Sequence, residues 1–370
     1  MHLIKSFKNK KVLILGNTGF KGSWLTILML KFGAKVYGIS NGIPTKPSFF
    51  SKANLKSKIK QINLNIINLS KLSDIFQKIQ PDFVFHLAAQ SLVFESIKNP
   101  VNTIQTNVIG TMNVLDCLKS LNKKCSVIIV TSDKCYLNTE KLSPYKENDS
   151  LGGKDPYSAS KASAEIIFSC YNNTYFKNNK NISLASARAG NVIGGGDWSP
   201  NRIIPDMIKA INDKKKFIVR NPNSTRPWQH VLEPLFGYIL LASRVSNKNK
   251  RRSLNLNSFN FAPSKFKNVT VKKIIEKMES NWPIINPIFI KNNQSTIESK
   301  LLQLDSSKAK RLLGWESVLD LDETLNFTIE WYKNYFKSPS SNDIFNFSLN
   351  QIDKYLEIAE KSKQWKKILS

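Results

Sequence analysis

The sequence predicts an α/β fold, a doubly wound parallel sheet followed by a smaller C-terminal lobe. Three observations predict it. Short apolar runs such as 11–15 (KVLIL) and 126–131 (SVIIVT) alternate with longer stretches of helical periodicity, the pattern of strands joined by crossover helices. The runs are apolar throughout rather than at every second residue, as strands covered on both faces must be. A glycine-rich turn, Gly16 to Gly22, stands between the first run and an amphipathic stretch from Ser23 to Phe32.

Taken in order, strand, glycine turn and helix give those glycines a physical task. Without side chains they let backbone approach a pyrophosphate at a helix N-terminus. Residues 35–39 (KVYGI) read as the second strand. At its end many NAD enzymes carry an acidic residue for the ribose, whereas this chain has Ser40 and Asn41. No arginine stands ready there for a 2′-phosphate either, so the choice between NAD and NADP stays open. Gln61 to Ile66 is the third strand and Leu69 to Ile79 a helix. Residues 83–90 (FVFHLAAQ) form a fourth strand running into small residues that admit a flat ligand. Asn99 to Leu121 has helical periodicity and leads to the fifth strand. In such a sheet, ligands sit outside the carboxyl ends of the strands.

That rule gives weight to Ser132, Asp133 and Lys134, which directly follow the fifth strand. A hydroxyl, a carboxylate and an amine in succession form an acid/base set. Gly152 to Pro156 then supplies a turn and a helix start, and the helix carries Tyr157 and Lys161. Residues four apart share a helix face. An ammonium beside a phenol favours phenolate and lowers a pKa normally about 10, so Tyr157 is expected to act as a base toward an alcohol.

Composition narrows the class. The net charge is +28, from 55 basic and 27 acidic residues. The lysines are spread along the whole chain, and only Lys214–Lys216 and Lys248–Arg252 cluster. Such dispersal argues against a nucleic-acid stripe, while a basic surface can steer an anionic small substrate. Four cysteines and three histidines show no metal spacing, so no metal is expected. Neither a membrane span nor a signal peptide is visible. These features read as a cytoplasmic protein with no nucleic-acid or membrane partner.

The glycine fingerprint, HLAAQ, Asn107 to Thr111 (NVIGT) and the Tyr157/Lys161 pair together resemble the extended short-chain dehydrogenase/reductase superfamily. More narrowly, 19–25 (GFKGSWL), 131–136 (TSDKCY), 187–198 (ARAGNVIGGGDW) and 226–235 (RPWQHVLEPL) resemble its CDP-glucose 4,6-dehydratase family, over about Lys11 to Lys333. The resemblance implies a Rossmann-type NAD-binding domain over 1–188, with a segment near 225–245 packing back on it. A substrate-binding lobe would fill most of 189–335. Residues 336–370 would be a linker (338–342, SPSSN) and an amphipathic basic helix, Ile344 to Leu369, docked on its own subunit.

The implied chemistry is conversion of CDP-glucose to CDP-4-keto-6-deoxyglucose and water, for deoxysugar and surface-polysaccharide biosynthesis. Tyr157 would take the sugar 4-hydroxyl proton with help from Ser132. Asp133 would protonate the leaving 6-hydroxyl, Lys134 would take the C5 proton, and Lys161 would support Tyr157. Implied contacts to NAD are Gly16, Thr18, Gly19, Phe20, Gly22, Asn65, Ile66, Leu87, Ala88, Ala89, Gln90, Asn107, Tyr157 and Lys161. Asn191, Arg202, Arg220 and Arg226 would hold the nucleotide sugar. Asn65 stands where relatives carry an aspartate on the adenine, and Phe94 where a basic residue is common. A homodimer or higher homo-oligomer is expected. The alternatives are a dehydratase or epimerase acting on another nucleotide sugar, and a non-catalytic dinucleotide-binding regulator.

Overall fold

The computed structural model describes residues 2–219, 221–246, 257–264, 269–282, 287–289, 301–337 and 340–370. Its centre is a seven-stranded sheet. The strands are β1 (Lys11–Leu15), β2 (Lys35–Ser40), β3 (Lys60–Asn63), β4 (Phe83–His86), β5 (Cys125–Val130), β6 (Ile182–Ala189) and β7 (Ser258–Phe261). They lie in the order β7-β6-β5-β4-β1-β2-β3, and every pairing is parallel. The order reverses beside β1, which opens a crevice at its carboxyl end, the switch point of a doubly wound sheet. Every residue of β4, β5 and β6 is buried, the polar His86, Ser126, Ser183, Ser186 and Arg188 among them.

The helices that place the site are α1 (Phe20–Lys31), α2 (Leu69–Ile79), α3 (Gly110–Cys117) and α4 (Pro156–Tyr171), followed by α5 (Ile203–Asn212) and α6 (Leu232–Val245). Helix α4 starts where its sequence says it should. Asp155 accepts from the Ser158 amide at 2.9 Å and Pro156 occupies the first turn, an N-cap and a residue preorganised to follow it. Helix α6 returns to the sheet, and the Ser126 hydroxyl of β5 donates to the Ala242 carbonyl at 2.7 Å.

Three stretches differ from the sequence expectation, each for a local reason. The third strand stops at Asn63, because Asn65 turns the chain by accepting from the Ile67 amide at 3.1 Å. The helix expected over 99–121 is interrupted by a wide π-turn at Gln105–Ile109. That turn holds Asn107 against Gln90 and Ser160, and such bulges concentrate at functional sites. The C-terminal stretch forms two helices, α8 (Ser341–Glu360) and α9 (Lys363–Leu369), packed with α7 (Leu321–Lys337). The chain bends at Ser362 so that Trp365 can donate to the Glu316 carbonyl at 2.9 Å and pack edge-on to Phe236. Of the expected linker, Ser338 and Pro339 lie outside the described residues, while Ser340 begins a capping box with Asp343. The basic run Lys248–Arg252 also lies outside them.

Candidate active site

The site is assembled from the carboxyl ends of β1, β4, β5 and β6. The segments that follow these strands are the glycine turn, Leu87–Gln90, Thr131–Lys134 and Gly190–Val192. All four line one cavity of about 1120 Å³. Ligand pockets run to roughly 1,000 Å³, so this one lies at the large end of that range.

The cradle for a dinucleotide passes a steric test. Gly16 has φ +85°, and a Cβ there would lie 2.6 Å from the Ala88 nitrogen. A Cβ on Gly22 would lie 2.1 Å from the Gly16 carbonyl oxygen. Both side chains are therefore excluded by the turn itself. Gly19 meets only its own turn, at 3.5 Å, leaving open space above the first turn of α1, where a pyrophosphate would sit on the amides. At the far end Ser40 and Asn41 line the cavity, with the Ser40 hydroxyl accepting from Gln61 at 3.1 Å. The Asn65 side-chain oxygen is engaged by its own Ile67 amide, though the residue still lines the wall.

The candidate reacting centre lies between β5 and α4. Ser132 Oγ donates to Asp133 Oδ1 at 2.8 Å and accepts the Lys134 amide at 3.2 Å. Ser132 also hydrogen-bonds the Tyr157 phenol, and Tyr157 is itself held by its amide donating to Ser96 Oγ at 3.1 Å. Ser132, Asp133, Tyr157 and Lys161 are buried and Lys134 is half-buried. Burial pushes the Tyr157 phenol up to about 12. The neighbours that pull against burial are the Ser132 hydroxyl and the Arg202 guanidinium. The expectation of a phenol lowered by Lys161 is thus corrected: desolvation outweighs the pull of Ser132 and Arg202. Burial lowers the Lys161 amine to about 8, opposed by Cys135 and Glu165.

A buried network fixes this geometry. Glu165, one turn beyond Lys161 on α4, accepts from Thr131 at 2.5 Å, Ser186 at 2.8 Å and Arg188 at 2.8 Å. Burial alone would raise its carboxyl, yet Arg188 and these hydrogen bonds hold it below the usual range. Arg188 also donates to the Tyr136 hydroxyl at 2.7 Å. Glu165 and Arg188 therefore grip Thr131 and Tyr136, the residues on either side of the acid/base turn.

The remaining expected residues divide. Asn107 is buried beneath the cavity wall and absent from its lining among the described residues. Its side chain accepts from the Gln90 amide at 2.8 Å and donates to Ser160 at 2.8 Å, so it braces the wall instead of facing a ligand. Asn191, Arg202 and Arg226 line the cavity, while Arg220 lies outside the described residues. Arg202 is ion-paired to the buried Asp197 at 2.9 Å. Asp197 is fixed in turn by the Tyr332 hydroxyl, which donates to its carbonyl at 2.5 Å. Sequence reasoning missed Lys21, Ser96, Glu165 and Arg188 in the site, because each acts across a long gap in the chain. Only for Glu165 did the sequence hold a signal, its helical spacing from Tyr157 and Lys161. Among the described residues no cluster suited to a metal occurs.

The family model described as GDP-mannose 4,6 dehydratase matches residues 13–328. A CDP-glucose 4,6-dehydratase of Salmonella typhimurium is 38% identical over 354 residues, covering 95% of this chain and 97% of its own length. A UDP-glucose 4-epimerase of Mycoplasma pneumoniae is 26% identical, covering 88% of this chain and 97% of its own. Among solved structures, a UDP-glucuronic acid 4-epimerase of Bacillus cereus, in complex with UDP-glucuronic acid and NAD, shares the fold with a TM-score of 0.73 at 24% identity, over 88% of this chain and 99% of that one. With the family model spanning most of the chain and the glycine cradle opening onto the Ser132–Tyr157–Lys161 centre, the chain belongs to the GDP-mannose 4,6-dehydratase family of nucleotide-sugar enzymes.

Proposed function

We propose that this protein is an NAD-dependent CDP-glucose 4,6-dehydratase, yielding CDP-4-keto-6-deoxyglucose and water for deoxysugar and surface-polysaccharide synthesis. One observation carries the reading. Asp133 and Lys134 stand directly beside the Ser132 that touches Tyr157, an acid/base pair that elimination of water needs and a simple inversion at C4 does not. The CDP-glucose 4,6-dehydratase named above supports the choice of nucleotide. The cavity fits NAD through Gly16, Thr18, Gly19, Phe20 and Gly22 at the pyrophosphate, and through Leu87 to Gln90 along the wall. When bound, NAD supplies the two-electron exchange, accepting hydride from C4 and returning it to C6.

The chain's own groups handle the protons. Tyr157 takes the 4-hydroxyl proton, which requires the phenol to ionise. A bound ligand that expels water strengthens the pull of Lys161 and Arg202 toward phenolate. Ser132 donates to the developing oxyanion. Lys134 takes the C5 proton made acidic by the neighbouring ketone, while Asp133 gives a proton to the C6 hydroxyl as the C–O bond breaks. Lys134 then returns its proton to C5. Arg202, oriented by Asp197, and Arg226 hold the diphosphate, since guanidinium groups bind phosphate oxygens in pairs.

Parallel incubation with CDP-glucose and dTDP-glucose tests the reading, following the 4-keto product by its absorbance in alkali and by NMR. The expected result is product from CDP-glucose. Absence of a 4-keto-6-deoxy product from both would overturn it, and a C4 epimer alone would turn it into an epimerase.

A further inference from the structure

A carboxylate at the end of the second strand usually selects an unphosphorylated dinucleotide, because it accepts from the ribose 2′-hydroxyl and repels a 2′-phosphate. The end of β2 and the turn after it carry Ser40, Asn41 and Gly42 instead, and all three line the cavity. The surroundings are cationic as well. No aspartate or glutamate precedes Asp74, whereas thirteen lysines do, so the part of the sheet from β1 to β3 brings no negative side chain. The acidic residues that line the cavity are Glu95, Asp133, Asp197 and Asp206, all from later segments. The ribose end is also ordered by hydrogen bonds. The Asn17 amide donates to the Gln61 side-chain oxygen at 2.6 Å, and the Gln61 amide donates to Ser40 Oγ at 3.1 Å and to the Ile62 carbonyl at 3.3 Å. Asn17 is buried in space that only a glycine at 38 leaves free, since a Cβ there would lie 2.3 Å from the Asn17 amide nitrogen. Ser40 is thus an acceptor toward Gln61, and its own hydrogen finds no acceptor among the described residues. A hydroxyl donates as well as accepts, so this one is left to donate. Beyond it lies open space, where a Cβ on Gly42 would meet nothing within 4 Å.

We propose that the ribose end of the cradle takes the 2′-phosphorylated dinucleotide, NADP, as well as NAD, and that Ser40 and Asn41 set this breadth. The proposal rests on the dinucleotide part of the reading above and not on the choice of sugar nucleotide. A donating Ser40 hydroxyl serves either ligand, because a ribose hydroxyl oxygen and a phosphate oxygen both accept. Toward phosphate the bond is charge-assisted and so the stronger of the two. No carboxylate at the end of β2 repels the added negative charge, and the lysine excess of the surrounding segments attracts it. Hydride exchange takes place at the nicotinamide end of the dinucleotide, so a 2′-phosphate changes the anchor and not the chemistry.

The test measures the dissociation constants of NAD and NADP by calorimetric titration of the full chain, as wild type, Ser40→Asp and Asn41→Asp. In the wild type, NADP is expected to bind within about tenfold of NAD and to be displaced by it. A wider gap in favour of NAD would overturn the proposal, and so would NADP that NAD does not displace, which would sit elsewhere. Either aspartate should shift the ratio of the two constants toward NAD by about 10²-fold, the weight of a like charge set beside a phosphate. Asn41 is exposed, so its variant carries the test even if Ser40→Asp fails to fold. A ratio unchanged by the added carboxylate would show that the 2′-phosphate does not lie at the end of β2 and would overturn the assignment. Failure of NAD itself to bind the wild type would instead sink the dinucleotide reading, whereas NAD bound with NADP excluded strikes only this proposal.

Discussion

At the scale of residues, the proposed roles place the oxidation on Tyr157 of α4 and the elimination on Asp133 and Lys134 after β5. Tyr157→Phe should remove the first oxidation, lowering turnover by about 10²-fold or more, and no reduced cofactor should appear on mixing with CDP-glucose. Lys134→Met should still reduce bound cofactor but block water loss, so reduced nicotinamide should build up and persist. Wild-type turnover in that variant would reassign the base. Asp197→Asn leaves the cavity wall in place but frees Arg202 from its 2.9 Å ion pair. Its effect should fall on KM for the nucleotide sugar more than on kcat, because phosphate is bound equally before and during reaction.

At the scale of elements, the proposed catalysis depends on the register between α4 and the turn after β5. Pro156 and the Asp155 cap start α4 at a defined residue, and Tyr157, Lys161 and Glu165 then fall on one face. Glu165 ties that face to both sides of the acid/base turn, through Thr131 directly and through Arg188 to Tyr136. Glu165→Gln leaves the buried Arg188 without its countercharge, a change that costs about 3 kcal/mol or more. A lower Tm together with slowing of both half-reactions is expected. Slowing of the oxidation alone would show that the clamp acts on Lys161 and not on the turn. Truncating Asp155 to Ala removes only a cap, worth about 1 kcal/mol, and should leave the half-reactions in proportion.

Across the whole molecule, the C-terminal helices belong to the core. Tyr355 on α8 donates to Glu233 at 2.9 Å and stacks on Phe236 of α6. Glu233 also accepts the Val318 and Leu319 amides. Trp331 of α7 bonds Ser348 of α8 at 3.0 Å, and Tyr332 beside it holds Asp197 in the site. A chain ending at Lys337 should therefore lose stability and affinity for the nucleotide sugar together. Acid should also unfold the protein. His86 and His230 are buried and held neutral, with burial lowering each to about 3. An unfolded histidine takes a proton below about 6.5, so the unfolded state binds more protons between those values. Stability is then full above about pH 6.5 and falls as pH drops, by up to about 1.4 kcal/mol per unit for each residue. The fall in Tm from pH 7 to 5 should be smaller in His230→Phe.

Much of this was legible in the chain order. The apolar runs of the first and fifth strands were legible because burial on both faces favours apolar side chains, while Ser183, Ser186 and Arg188 break that pattern in the sixth. The glycine turn and the Tyr157/Lys161 spacing were readable because each is local, fixed by sterics or by a single helical turn. The shift of Tyr157 was not readable, since desolvation depends on everything packed around the ring. Nor were the partners of Asp197 and Arg188, Tyr332 and Tyr136, which lie tens to hundreds of residues away. Local sequence determined the elements and the chemical groups they carry. Tertiary structure alone decided which charges face one another out of water, because that depends on the path of the whole chain.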